Sequence, residues 1–132
     1  MSSNVSNTYV NSKVQVTADD QKMINKFARL HQRFTELKVK SKEMDKDIQN
    51  FNDAADELLL LDDNDAETVP FKMGTIFDTM NQKLENLKES TQKQLSEIKE
   101  QGREISSEMD VLKKKLYGKF GNKINLETDK GD

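Results

Sequence analysis

Residues 23–58 decide the fold, and they read MINKFARLHQRFTELKVKSKEMDKDIQNFNDAADEL. Apolar side chains recur here at steps that alternate four and three residues, interrupted by a single serine. The positions are Met23, Phe27, Leu30, Phe34, Leu37, Ser41, Met44, Ile48, Phe51, Ala55 and Leu58. Such a heptad stripe runs along one side of an α-helix and is typical of the seam of a coiled coil.

A second stripe follows between residues 77 and 116. Its members are Phe77, Met80, Leu84, Leu87, Thr91, Leu95, Ile98, Gly102, Ile105, Met109, Leu112 and Leu116. Laid antiparallel with Leu58 facing Leu84, the two stripes match layer by layer until Phe27 faces Leu116. The sequence therefore predicts a mainly α fold, a long antiparallel two-helix coiled coil in which the chain folds back on itself.

Composition agrees with a narrow fold and limits the function. Charged residues make up 34% of the 132 residues and apolar residues 33%, which suits a two-helix seam better than a globular α/β core. The net charge of −3 argues against nonspecific nucleic-acid binding, and the lack of cysteine excludes disulfides and thiolate chemistry. No apolar run approaches about 18 residues, so neither a membrane span nor a signal peptide is expected.

Three features that resemble chemical motifs have simpler explanations. His31, the only histidine, lies off the stripe and is expected on the solvated surface. The acidic run at 62–67 departs from the EF-hand loop, because its sixth residue is Glu67 rather than glycine and its twelfth is Met73 rather than glutamate. Residues 118–121 lack the spacing of a phosphate-binding loop. No catalytic, cofactor-binding or metal-ligating residue is predicted, and no enzyme activity is expected.

The segment between the helices predicts a β-hairpin. Residues 66–79 are rich in β-branched and aromatic side chains around Gly74, with strands expected near 67–72 and 75–79. A lone two-stranded hairpin is marginal in water, so we expect it to form a sheet with the hairpins of other chains. The assembly residues would be Val69, Phe71, Met73, Ile76 and Phe77. The alternative is a hairpin folded back on its own helices, and Phe77 fits either the sheet or the seam.

Apolar residues also collect where the start of the first helix meets the end of the second. They are Ile24, Phe120, Ile124 and Leu126. Two helices alone cannot bury all of them, so we expect exposed groups that contact apolar partners. The alternative is a tail that folds over its own helix end.

These patterns divide the chain into three parts. The predicted bounds are a flexible tail at 1–16, a coiled-coil domain at 17–121 and a flexible tail at 122–132, with helices at 18–61 and 81–117 and the hairpin at 66–79. Thr17 and Asp20 are placed to cap the first helix.

Three segments resemble the β-type prefoldin family. Residues 16–27 resemble the opening of its first helix, and residues 62–77 resemble its acidic turn and Pro-aromatic hairpin. Residues 116–127 (LYGKFGNKINLE) resemble the C-terminal signature of one β-type member. The likeness covers about residues 16–128. Gly118 departs from it, because a better helix former is expected there.

The resemblance implies a subunit of a heterohexamer of two α-type and four β-type subunits, whose hairpins join into two linked inter-subunit β-barrels. It implies that the coiled-coil tips hold unfolded actin and tubulin and deliver them to the cytosolic chaperonin, without ATP and without a cofactor. A cytoplasmic location follows, with nuclear presence left open, and no nucleic-acid or membrane partner is expected. The stripes alone also permit a coiled-coil scaffold or adaptor that self-associates and holds no unfolded protein.

Overall fold

The computed structural model describes residues 15–64 and 71–126. They form two long α-helices, α1 at Ala18–Asn64 and α2 at Phe71–Phe120, followed by one turn of 3-10 helix at Gly121–Lys123. Both helices run a few residues beyond their predicted ends at 61 and 117. The mainly α, two-helix part of the prediction is confirmed.

Two compact units divide the chain. Unit 1 combines Met1–Lys38 with Gln101–Asp132, and unit 2 is Val39–Glu100. Each unit contains part of α1 and part of α2. In unit 1 the start of α1 packs against the end of α2, so the two helices are antiparallel there.

The cap that the sequence predicts for α1 is present. The Thr17 hydroxyl accepts a hydrogen bond from the Asp20 N–H at 3.1 Å, and the Asp20 carboxylate accepts one from the Thr17 N–H at 3.0 Å. This reciprocal capping box satisfies backbone N–H groups that the first turn of a helix cannot pair internally. Asp19 and Asp20 also place negative charge at the positive end of the helix dipole.

The seam of α1 follows the predicted stripe, whereas the seam of α2 departs from it in two places. Met80 and Leu87 are exposed, Leu87 to 50%, while Asn81 and Lys88 are half-buried. The covered positions of α2 therefore keep strict steps of four and three, because helix geometry sets the period and Lys88 can cover the seam with its aliphatic stem.

The pairing of the helices is also shifted from the prediction. In unit 1, Lys119 contacts Asp20, whereas the predicted pairing would place residue 122 or 123 there, about one helical turn further along. In unit 2, Ala55 and Leu84 line one groove of about 300 Å³, although the prediction set Ala55 against Leu87. The stripes fit each other equally well one turn apart, because the heptad repeats along both helices.

The predicted strand at 75–79 is not seen in the single chain, where α2 begins at Phe71 rather than Asn81 and includes those residues, so the hairpin is not confirmed. The partner strand at 67–72 lies mostly outside the described residues, as does the predicted N-terminal tail at 1–16. A helix satisfies its own backbone hydrogen bonds, while two strands without partners leave their edges unpaired. Phe77, which is half-buried, continues the seam instead.

Two glycine substitutions should shift stability in opposite directions. A Cβ at Gly102, inside α2, would come no closer than 3.9 Å to its nearest neighbour, the Phe34 ring. Gly102→Ala should therefore raise the free energy of unfolding by about 0.5–1 kcal/mol, since alanine favours the helix. Gly121 has a φ of 59°, a conformation that alanine adopts only with strain. Gly121→Ala should therefore lower the free energy of unfolding by about 1 kcal/mol. Urea unfolding followed by circular dichroism measures both, and equal signs would contradict this assignment.

Candidate functional site

The end of unit 1 holds a continuous apolar cluster, which we call the end cluster. Its buried members are Ile24, Phe27, Met109, Leu112, Leu116, Phe120, Ile124 and Leu126. Half-buried side chains pack around it: Val16, Met23, Leu30, Phe34, Ile105 and Tyr117. Residues from α1, from α2 and from the chain after α2 therefore share one core.

The structure corrects the prediction that the tip residues are exposed. Ile24, Phe120, Ile124 and Leu126 are all buried, none more than 6% exposed. The predicted tail at 122–132 is described as far as Leu126. Of the two alternatives left open by the sequence, its described part has the second, because Ile124 and Leu126 pack against their own helix end.

Residues 121–126, which we call the end segment, dock through a turn, a β-bridge at Ile124 and a side-chain hydrogen bond. Gly121, with its positive φ, turns the chain out of α2, and Ile124 is extended, with φ −123° and ψ 145°. The Leu126 N–H donates to the Tyr117 hydroxyl at 3.1 Å. Ile124 and Leu126 are buried on either side of the exposed Asn125, the period of two expected of extended chain.

A buried carboxylate joins the two helix ends beside the end cluster. Asp20 is 2% exposed, and the Lys119 ammonium donates to both of its oxygens at 2.8 and 2.9 Å. Lys119 Nζ also lies 5.7 Å from the centre of the Phe120 ring. This one contact ties the first turn of α1 to the last turn of α2, next to the end segment.

The charge of Asp20 is stabilised despite its burial. Burial by itself raises the pKa of the Asp20 carboxyl, but the hydrogen bonds from Lys119 and Thr17 and the charge of Lys119 outweigh it and hold the pKa below its ordinary value. Asp20 is therefore an anion at neutral pH, and both of its oxygens are hydrogen-bonded.

Removing the Tyr117 hydroxyl should loosen the end segment without disturbing the helices. Tyr117→Phe keeps the ring in place and removes the acceptor of the Leu126 N–H. The lost hydrogen bond contributes about 0.5–1.5 kcal/mol, so the Leu126 amide should exchange about threefold to tenfold faster. Hydrogen exchange followed by NMR measures this. Unchanged exchange would mean that the hydrogen bond does not hold the segment.

His31 is not the solvated surface histidine that the sequence suggests. It is half-buried, and its ring stacks on Phe27 with centroids 6.5 Å apart. Its Nε2 is buried and has no hydrogen-bond partner among the described residues. The pair belongs to the packing of α1 beside the end cluster.

The predicted assembly residues lie at or before the start of α2. Val69 lies outside the described residues, and Phe71 is the first residue of the helix. Met73 and Ile76 are exposed to 41% and 48%, and Phe77 is half-buried. Unit 2 thus presents two of these five side chains to solvent.

Further apolar residues of unit 2 are exposed that the sequence reasoning missed. They are Leu59, Leu60, Leu61, Met80 and Leu87. The run of four leucines at 58–61 was the available signal, because a two-helix seam can cover only Leu58 among them. These side chains leave unit 2 with apolar area in contact with water.

Within the described ranges, no three His, Cys, Asp or Glu side chains are grouped as a metal site would require. No helix in the same ranges has the length and apolarity needed to cross a membrane.

Comparisons with known proteins agree on one family. The family model described as "Prefoldin subunit" matches residues 21–123. "Probable prefoldin subunit 4" of Caenorhabditis briggsae is 43% identical over 89% of this chain and 98% of its own length. "Prefoldin subunit 4" of Homo sapiens is 39% identical over 88% of this chain and 90% of its own length. "Prefoldin subunit 4" of Saccharomyces cerevisiae is 32% identical over 88% of this chain and 92% of its own length. No solved structure matches the chain.

Proposed function

This chain belongs to the prefoldin subunit family, and from that membership we propose that it acts as one subunit of a heterohexameric co-chaperone. It assembles with two α-type and three further β-type subunits. The hexamer holds unfolded actin and tubulin at the ends of its coiled coils and passes them to the cytosolic chaperonin. No ATP is hydrolysed, and the complex works in the cytoplasm.

The observation that carries the assembly part is the exposed apolar surface of unit 2. Met73, Ile76, Met80 and Leu87 are each at least 41% exposed, and the leucines at 59–61 are more than half exposed. Such a surface is unfavourable in water unless another protein covers it. Other subunits supply that cover in the proposed hexamer.

Assembly also offers residues 71–79 a structure other than the helix that they form in the single chain. Pro70 directly precedes α2, and Thr75 and Ile76 are β-branched residues in its first turns. Strands from neighbouring subunits would pair the edges that a lone hairpin leaves open. We propose that the first turns of α2 unwind on assembly and join an inter-subunit β-barrel through Val69, Phe71, Met73, Ile76 and Phe77.

The proposed client contacts lie in unit 1, at the start of α1 and the end of α2. Ile24, Phe120, Ile124 and Leu126 form part of the end cluster, which is apolar enough to bind unfolded chains. Because all four are buried, client contact requires the end to open. Several weak contacts from six subunits would then add by effective concentration.

Native mass spectrometry of the co-expressed subunits tests the assembly. The wild-type chain should appear in a hexamer, and the double variant Met73→Asp/Ile76→Asp should be lost from it, because the buried interface cannot solvate two carboxylates. Val111→Asp, an exposed position in unit 1, is the matched control and should assemble normally. A homodimer of this chain that forms without the other subunits and does not bind them would favour the scaffold alternative.

Light scattering of unfolded actin tests the holding activity. Hexamers that contain the wild-type chain should suppress scattering after actin is diluted from denaturant. Scattering as high as without the hexamer would exclude client holding while leaving the assembly result untouched.

A further inference from the structure

Two residues of the end cluster are buried although they do not face the opposite helix. The seam of α1 includes Met23, and the seam contact of α2 at this end is Lys119 with Asp20. Ile24 and Phe120 each follow a seam position by one residue, yet they are 1% and 6% exposed. Something other than the partner helix must cover them.

Geometry places these two residues on one side of the helix pair. Each step along an α-helix turns by about 100°, and the turn has the opposite sense in an antiparallel partner. Positions one residue after the seam therefore project to the same side on both helices. Ile24 and Phe120 thus border one groove, and Ile124 and Leu126 of the end segment pack in the same cluster, as does the half-buried Val16.

The other side of the same helix pair has no such cover. Positions one residue before the seam include Lys26, Glu108 and Val111. Val111 is 50% exposed, and Lys26 and Glu108 form only a solvated ion pair at 4.0 Å. The end segment therefore covers the side that carries the larger apolar residues and leaves the polar side open.

The end segment lies against this groove as an extended peptide would. Its buried residues, Ile124 and Leu126, are spaced by two. Lys123 before them and Asn125 between them are exposed. A β-bridge at Ile124 and the hydrogen bond from the Leu126 amide to the Tyr117 hydroxyl add to the apolar contacts. Extended apolar segments with this alternation are common in unfolded chains.

We propose that the groove between Ile24 and Phe120 is a binding site for extended apolar peptide segments, and that residues 121–126 are its intramolecular occupant. A client segment with apolar side chains at alternate positions displaces the end segment and takes its place. The proposal rests on the proposed function. It divides the four predicted contacts, because Ile24 and Phe120 then bind the client while Ile124 and Leu126 compete with it.

The occupant is suited to exchange rather than to permanent closure. It is short, it buries two aliphatic side chains, and ordering its backbone opposes docking. It is joined to α2 at Gly121, whose backbone freedom allows the chain to swing away. The Asp20–Lys119 contact lies within the helices, so they can stay joined while the end segment leaves.

The double variant Ile124→Ser/Leu126→Ser tests the proposal in the full 132-residue chain. The probe is a fluorescein-labelled ten-residue peptide with leucine at every second position, and its control has serine in place of each leucine. If the end segment leaves the groove open in only about 1–10% of molecules, the apparent Kd for the peptide is about tenfold to a hundredfold higher than the Kd of the open groove. The variant should therefore bind the leucine peptide about tenfold to a hundredfold tighter, measured by fluorescence anisotropy.

Two further variants keep the result interpretable. Asn125→Ser changes an exposed residue of the same segment and should bind like the wild type. Tyr117→Phe weakens docking without removing apolar area and should bind about threefold tighter. Circular dichroism at 222 nm checks that the helices of every variant are intact.

Equal or weaker binding by the double variant would overturn the occupant, since the end segment would then be neutral or part of the site. Absence of leucine-peptide binding by every variant would overturn the groove itself. The hexamer mass and the actin assay judge the proposed function separately, so a chain that passes them and fails here loses only this inference.

Discussion

Replacing Leu116 with alanine should lower the free energy of unfolding by about 3 kcal/mol. Leu116 is fully buried at 0% exposure and belongs to the end cluster with Ile24, Phe27 and Phe120. Truncation removes buried apolar surface and leaves a cavity, which the packed side chains of the end cluster can fill only in part. Urea unfolding followed by circular dichroism measures the change, with the m-value expected to stay constant.

Val111→Ala is the matched control for this change, since Val111 lies on the same helix and is half exposed. Its substitution should alter the free energy of unfolding by less than about 0.5 kcal/mol. A loss below 1 kcal/mol for Leu116→Ala would show that the end of unit 1 is not a packed core, and the cover by residues 121–126 would fail with it.

Replacing Lys119 with methionine should destabilise the protein by about 2 kcal/mol at pH 7. The change leaves the Asp20 carboxylate buried without its cation, and removing one partner of a fully buried pair costs about 3–5 kcal/mol. The expected loss is smaller here because the Lys119 side chain is 49% exposed and water already screens it. Lys119→Arg, which keeps the positive charge, should lose less than half as much.

The pH dependence identifies Asp20 as the cause. In the wild type the folded pKa of Asp20 is lowered, so its contribution is present above the unfolded pKa of about 4 and is lost as the pH falls through the folded pKa. In Lys119→Met, burial still raises the pKa of Asp20, but the lysine that lowered this pKa most strongly is gone. The difference between the two proteins should therefore be greatest near pH 7 and shrink toward pH 3.

Lys114→Met serves as the control, because Lys114 is an exposed lysine near the end of the same helix. It should leave both the stability and its pH dependence within about 0.5 kcal/mol of the wild type. A difference between Lys119→Met and the wild type that is constant from pH 3 to pH 7 would exclude the buried carboxylate as its origin.

Local signals predicted local structure well in this chain. The capping box of Thr17 and Asp20 could be identified because both partners lie within one turn. The stripe on α1 could be identified because its apolar residues follow the heptad almost without interruption. On α2 the same method chose Leu87 over Lys88, since apolarity alone does not reveal that a lysine stem can line a seam.

Residues 71–79 show the opposite limit. Their β-branched and aromatic side chains indicate strands, yet the single chain forms a helix there. Strand propensity reflects packing against neighbouring strands, and the described part of the single chain contains no strand for residues 71–79 to pair with. The helix needs no neighbour for its backbone hydrogen bonds, and Phe77 extends the seam of α2.

The sequence by itself determined two helices, their antiparallel direction, the cap of α1 and the apolar character of both ends. Each of these follows from spacing along the chain. Only the tertiary structure decided that Lys119 reaches Asp20 and that Ile124 and Leu126 are buried. Those contacts depend on a helix pairing set to within one turn and on a groove built from residues almost a hundred positions apart. No local pattern encodes them, because the groove does not exist until the helices meet.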